Sequence, residues 1–182
     1  MEKTLTKTLW NIDPAHSEIQ FKVKHLVIST VTGAFNQFTA TVETESPDNF
    51  EGAAVSFEAD VNSVSTNNEQ RDVHLRSADF FDAENHPTIG FRSTGFSGKG
   101  DGTFVLTGDL TIRGVTQPVT LDVEYGGTTK DPWGQTKAGF EAVGKISRKD
   151  FGLLWNAPIE SGGVLVADEV KLILNVQFTQ QA

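Results

Sequence analysis

Apolar and polar residues alternate one for one along much of this 182-residue chain, and a period of two leaves few folds open. Ile19, Phe21 and Val23 are apolar, while Gln20, Lys22 and Lys24 are polar. Successive strand side chains point to opposite faces, so the pattern describes a strand with one buried and one wet face. It returns at Val55, Phe57, Ala59 and Val61, and again at Phe104, Leu106, Gly108, Leu110 and Ile112. Val119, Leu121, Val123 and Tyr125 follow, then Ala138, Phe140, Ala142, Gly144 and Ile146, then Val170, Leu172, Leu174, Val176 and Phe178. Phe35 has one parity and Phe38, Ala40 and Val42 the other. The extra residue near Asn36-Gln37 predicts a bulge, which bends a strand as a closing barrel requires.

The connectors are rich in turn residues. Ser97–Gly102 and Arg113–Pro118 read as hairpin links, and Gly126-Gly127 opens a longer loop through Asp131–Gly134. Two segments leave the β rhythm. Asn67–Phe81 reads as a helix capped by Asn67 or Asn68, with Val73, Leu75, Ala78 and Phe81 as an irregular apolar stripe. Arg148–Gly163 reads as an irregular connection holding a short turn of helix. No linker, composition shift or repeat divides residues 1–182, so the chain reads as one domain of about eight mostly sequential strands. Closing such a sheet into a barrel removes its exposed edges.

Charge and composition narrow the function. The net charge is −9, from 15 basic and 24 acidic residues, and no basic run occurs along the chain. Nucleic acid is therefore an unsuitable partner, and an acidic surface favours solubility over contact with anionic membranes. With no Cys, disulfides, thiolate metal sites and a Cys nucleophile are excluded. The first residues lack an apolar signal core, and no stretch is long and apolar enough for a spanning helix. As written the chain is expected in the cytoplasm, or in the periplasm if a signal has been removed.

The inward faces mix large and small side chains. Ala40, Ala59, Gly108, Ala138, Ala142 and Gly144 share faces with Phe38, Phe57, Leu110, Phe140 and Ile146. Such a wall either leaves room for a ligand or alternates sizes to fill a tapering barrel, and the pattern alone does not choose. Thirteen Phe against one Tyr suit a wall with no polar handle. A ligand held by apolar contact alone needs roughly ten or more buried carbons to overcome the cost of association.

Few residues suggest chemistry. His16, His25, Asp72 and His74 are the candidates for a metal or acid–base site at the rim, but no local ligand spacing joins them. Asp13, His16 and Ser17 lie too close in sequence to favour a triad, and no nucleophile elbow is present. Arg148 or Lys149 could meet a ligand head group, although an ion pair holding the loop down is the commoner role.

Several phrases together resemble the YceI-like family. Trp10–Ser17 with Phe21, Val23 and His25, then Gly33-Ala34-Phe35, is similar to its start. Arg71–Leu75, Asp79–Asp82 and His86–Phe91 are similar to its middle. Gly108–Thr116 with Pro118-Val119, and Arg148–Leu153, resemble its hairpin and late loop. His86 before Pro87 departs from the aromatic residue the family often has there, and many members carry an export signal. The resemblance implies an extended, lipocalin-like, eight-stranded antiparallel barrel whose tunnel holds a polyisoprenoid, an isoprenoid quinone or a related long-chain lipid. The chain is thus expected to carry or store such a lipid without catalysis and without a cofactor, with a homodimer as the favoured assembly. The lining residues expected are Phe21, Val23, Phe35, Phe38, Phe57, Phe91, Leu110, Ile112, Phe140, Ala142, Ile146, Leu172 and Leu174. The rivals are an enzyme using the His/Asp rim and an interaction domain with a filled barrel.

Overall fold

The computed structural model describes residues 7–159 and 164–182. The N-terminal residues read above for a signal, and positions 160–163 of the long connection, lie outside them. Eleven strands follow in chain order. They are β1 (Thr8–Ile12), β2 (Glu18–His25), β3 (Ser29–Phe35), β4 (Phe38–Thr44), β5 (Ala54–Asp60), β6 (Val64–Ser65), β7 (Thr88–Gly98), β8 (Thr103–Ile112), β9 (Val115–Lys130), β10 (Thr136–Ser147) and β11 (Val166–Gln180). One helix, α1 (Glu69–Arg76), interrupts them.

Register turns eleven strands into eight staves. β1 pairs with the end of β11 (Trp10↔Gln180) and β2 with its earlier part (Leu172↔Phe21), so β1 and β2 form one broken stave. β4 pairs with β1 and β3 with β2, making the next. β5 pairs with β4 and the short β6 with β3, making the third. β7, β8, β9, β10 and β11 follow singly, every pairing antiparallel, and β1–β11 closes the ring. The expected closed eight-stranded barrel is present.

The phase slip at Asn36-Gln37 marks something larger than a bulge. All three broken staves interrupt at one level, at the 3₁₀ turn Pro14–His16, at Asn36-Gln37 and at the 3₁₀ turn Val61–Ser63. Hydrogen bonds from Asn36 N to Ser63 O and from Asp60 N to Gln37 O stitch two of the breaks together. A sheet that must turn a corner to close does so across several strands together.

Three local expectations change. Arg113 (φ 50°) and Gly114 (φ 73°) make a two-residue turn, so β9 starts at Val115 and Pro118 pairs within it. β9 also continues past Gly126-Gly127 to Lys130, its extra residue absorbed by a register shift opposite Gly139. The helix is shorter than Asn67–Phe81. Asn68 caps it by accepting from Arg71 N, and it ends where Ser77 N and Oγ both bond to His74 O. Val73 is exposed, whereas Leu75 turns toward the barrel. The helix is pinned by buried Asp72, which accepts from Thr66 N (2.8 Å) and Thr66 Oγ1 (2.6 Å). After β10, Arg148–Phe151 forms the expected short helical turn, ended by Gly152 at φ 77°.

One barrel end is packed shut. Trp10 is fully buried and sits 5.3 Å from Phe50, measured between ring centroids. Phe50, from the β4–β5 loop, also meets Phe140 (5.1 Å) and Tyr125 (5.3 Å), and Phe140 meets Phe178 and Phe96. Chained aromatic contacts of this kind add to the large apolar area each ring buries.

Candidate ligand cavity

Above the aromatic plug the barrel encloses a cavity of about 360 Å³. Strand parity builds its wall. β11 contributes Val170, Leu172, Leu174, Val176 and Phe178, and β10 contributes Phe140, Ala142 and Ile146. At roughly 3.3 Å per residue, Val170 to Phe178 runs about 26 Å along the strand, so the cavity is long rather than round.

The expected lining residues can now be placed. Phe21, Val23, Phe35, Phe57, Phe91, Leu110, Ile112, Phe140, Ala142, Ile146, Leu172 and Leu174 all face the cavity. Phe38 does not line it. It opens β4 just after the break at Asn36-Gln37 and stacks on Phe57, with centroids 6.4 Å apart.

The small residues divide into cavity wall and seats for neighbouring side chains, except Ala138, which is fully buried away from the cavity. Ala40, Ala59 and Ala142 are cavity wall. Gly108 and Gly144 are seats: a Cβ at Gly108 would collide with the Phe91 ring, and one at Gly144 with the Leu121 side chain. Gly33 likewise lies under the Phe21 ring. At these glycines the size-alternation reading is the correct one.

Some wall residues escaped the sequence reading because they come from irregular segments. Leu75, Phe80 and Phe81 reach in from α1 and the turns after it, Trp155 from the late loop, and Phe50 from the far loop. Of these, only Leu75 and Phe81 had a signal, as members of the irregular stripe.

Apart from Gln20, early in β2, the polar groups on the wall gather toward one end. Lys24, His25, Arg71 and His74 lie where β2 ends and β3, β7 and β11 begin, which makes that end the mouth. His74 is packed edge-on between Phe80 (5.0 Å) and Trp155 (4.6 Å), its Nε2 2.9 Å from Asp79 Oδ2. Arg71 Nε and Nη2 donate to Thr66 Oγ1 and O, both at 2.7 Å.

The proposed catalytic candidates do not converge. His16 lies at the β1–β2 break beside Asp13 (2.9 Å), and Asp72 is spent on Thr66. Asp13 is held below the usual carboxylate value of 3.8, first by the His16 hydrogen bond and then by Lys137, with burial opposing. Ser17 is structural, its Oγ accepting from Gln177 N and donating to Gln177 O. Among the described residues, no three His, Asp or Glu side chains gather as a metal site would need.

Arg148 is a loop clamp. It is 3% exposed and donates to the carbonyls of Leu153 (2.6 Å), Ala167 (2.8 Å), Trp155 (2.9 Å) and Val166 (3.2 Å). Burial lowers its pKa from the usual arginine value, and Asp168, 3.7 Å away, opposes that shift. Asn156 ties the same two segments, bonding to Val166 N and O.

Fold and cavity together define a lipocalin-like antiparallel barrel around a one-mouthed apolar chamber. The YceI-like domain model matches residues 10–178, and the chain belongs to that family. A UPF0312 protein of Vibrio cholerae is 40% identical over 139 residues, covering 76% of this chain and 73% of that protein. The crystal structure of the Campylobacter jejuni YCEI protein superposes with a TM-score of 0.73 at 32% identity, covering 100% of both chains. A polyisoprenoid binding domain from Saccharophagus degradans shares the fold at a TM-score of 0.64 and 14% identity, covering 94% of this chain and 98% of that one. Among the described residues no helix is long and apolar enough to cross a membrane.

Proposed function

We propose that this protein carries or stores one long-chain apolar lipid of the polyisoprenoid class, without catalysing its conversion and without a cofactor. The observation that carries the reading is the wall itself, apolar along β11 from Phe178 to Val170, with Lys24, His25, Arg71 and His74 gathered at the mouth and Gln20 deeper along β2. A lipid with a long tail and a small polar head matches that division. The ligand named for the Saccharophagus degradans domain belongs to the same class.

Energetics support an occupant. At about 24 cal/mol for each Å³ of lost packing, a hollow of this size forgoes on the order of 9 kcal/mol, comparable with the whole stability of a typical domain. An acyl or prenyl chain recovers about 0.8 kcal/mol per buried methylene. The cavity lies within the range of small-molecule sites, toward its smaller end, so one chain fits better than a multi-tailed lipid.

The test is mass spectrometry of protein purified from its native source, run native and then denatured, with extraction of what is released. The expected result is a stoichiometric long-chain lipid that leaves on denaturation. Protein that carries no lipid, and takes up none when polyprenol is supplied in detergent micelles, would overturn the proposal.

A further inference from the structure

The loop joining β2 to β3 breaks two rules together. Leu26 and Val27 lie at φ 55° and 65°, a region that suits Gly, Asn or Asp and that β-branched side chains avoid. The same loop presents its apolar side chains to solvent, Val27 at 71% and Ile28 at 84% exposure. A polar turn would join the strands with less strain, so neither feature serves the fold. Leu26 N is bonded to Leu165 O, which sets the loop beside exposed Val164 at the cavity mouth.

A second observation lies on the outer wall leading to that mouth. Lys22 of β2 stands directly opposite Lys171 of β11, which stands opposite Lys145 of β10. Like charges in register destabilise a sheet. Glu169 approaches Lys145 at 3.8 Å, but Lys22 and Lys171 have no acidic partner among the described residues. Exposed Lys24 and Lys149 continue the basic face toward the mouth, with Asp168 3.4 Å from Lys149. The chain shows no basic run, because these lysines meet only through strand register. In a chain of net charge −9, such a face is not the product of general solubility.

We propose that the mouth end docks on an anionic lipid bilayer, with Val27 and Ile28 entering the interface and the lysine row facing the headgroups. The inference rests on the carrier reading, since an apolar cargo needs a route between membrane and cavity that avoids water. An apolar loop alone would suit a second copy equally well; the lysine row selects an anionic surface. Acidic Glu69, Asp79, Asp82 and Glu84 lie on and after α1 at the same end, so the contact falls on the β2–β3 loop and the β2–β11 face beside it.

The test is flotation of the full chain with vesicles of phosphatidylcholine, alone or mixed with phosphatidylglycerol. Two paired variants accompany the parent, Val27→Asn with Ile28→Ser and Lys22→Gln with Lys171→Gln. Asn tolerates the left-handed turn, so the first variant keeps the fold. The parent is expected to partition onto the mixed vesicles about tenfold more than onto phosphatidylcholine, and each variant to lose most of that binding. Loading with polyprenol from detergent micelles is measured in parallel, and both variants are expected to load like the parent. Equal partitioning of the parent onto both vesicle types would overturn docking, while the micelle arm reports separately on the carrier reading. A loop variant that converts a dimer to a monomer in sedimentation velocity yet floats like the parent would also overturn it, making the loop a contact between copies.

Discussion

The two ends of the barrel are held by different physics. The closed end is held by apolar packing: Trp10, Phe50, Tyr125, Phe140 and Phe178 fill it ring against ring, and the Trp10 indole N–H still reaches Thr44 Oγ1 at 3.4 Å. The mouth is held by side chains that clamp backbone. Arg148 takes four carbonyls, Arg113 Nη1 takes those of Ala78 and Phe80, and Asp72 takes Thr66. The contrast has a cause. Where the cavity opens the loops pack on a small aromatic cluster, Phe80 and Trp155 around His74, and polar clamps fix the backbone that this packing leaves free. An end built this way can stay open without losing its shape.

The largest expected effect is at the plug. Trp10→Ala removes a fully buried indole and should cost about 3–5 kcal/mol, lowering the melting temperature by on the order of 10 °C in a calorimetric scan. A change of a degree or two would break the comparison, since the closed end would then not depend on packing. Arg148→Met comes next, at about 2–4 kcal/mol, because it strands buried carbonyls. Hydrogen exchange should speed up in residues 153–158 and 165–168 and leave the β9–β10 core protected; uniform loosening would contradict a local clamp.

A smaller effect tests the β1–β2 break. The folded-state pKa of Asp13 is depressed, so its contribution to stability is present above the unfolded value of 3.8 and lost as pH falls through the lower folded value. Asp13→Asn should therefore cost about 1–2 kcal/mol at neutral pH, and urea midpoints of parent and variant should converge at the acid end. A gap that persists below the folded value would deny the linkage. The smallest effect has the opposite sign. Val27→Asn relieves a strained turn at the mouth and should raise stability by up to about 1 kcal/mol in urea unfolding, where every cut at the plug lowers it.

Much of this architecture was legible in alternation. Parity placed Phe21, Leu110, Ala142, Leu172 and their partners on the cavity side before any register was known. Phe38 shares the parity of Ala40 and Val42 in β4, but parity does not say that the first residue of the strand stacks on Phe57 at the break, which itself looked like one extra residue. Gly108 and Gly144 looked like open space, because the sequence does not say that Phe91 and Leu121 lie over them. Phe50, Phe80 and Trp155 come from segments without periodicity, so no pattern could assign them. The lysine row was invisible for a further reason: its members are far apart in the chain and meet only through the pairing of β2, β11 and β10.

The most direct test of the account is lipid loading of Ala142→Trp. Ala142 is buried on β10 between Val123 of β9 and Leu174 of β11, and its side chain faces the cavity. An indole there should occupy the path of a bound chain. Uptake of polyprenol from detergent micelles, read by native mass spectrometry, is expected to fall at least about tenfold while the circular dichroism spectrum keeps its β signature. Uptake equal to the parent's, with the fold intact, would contradict the claim that the barrel interior is the lipid site.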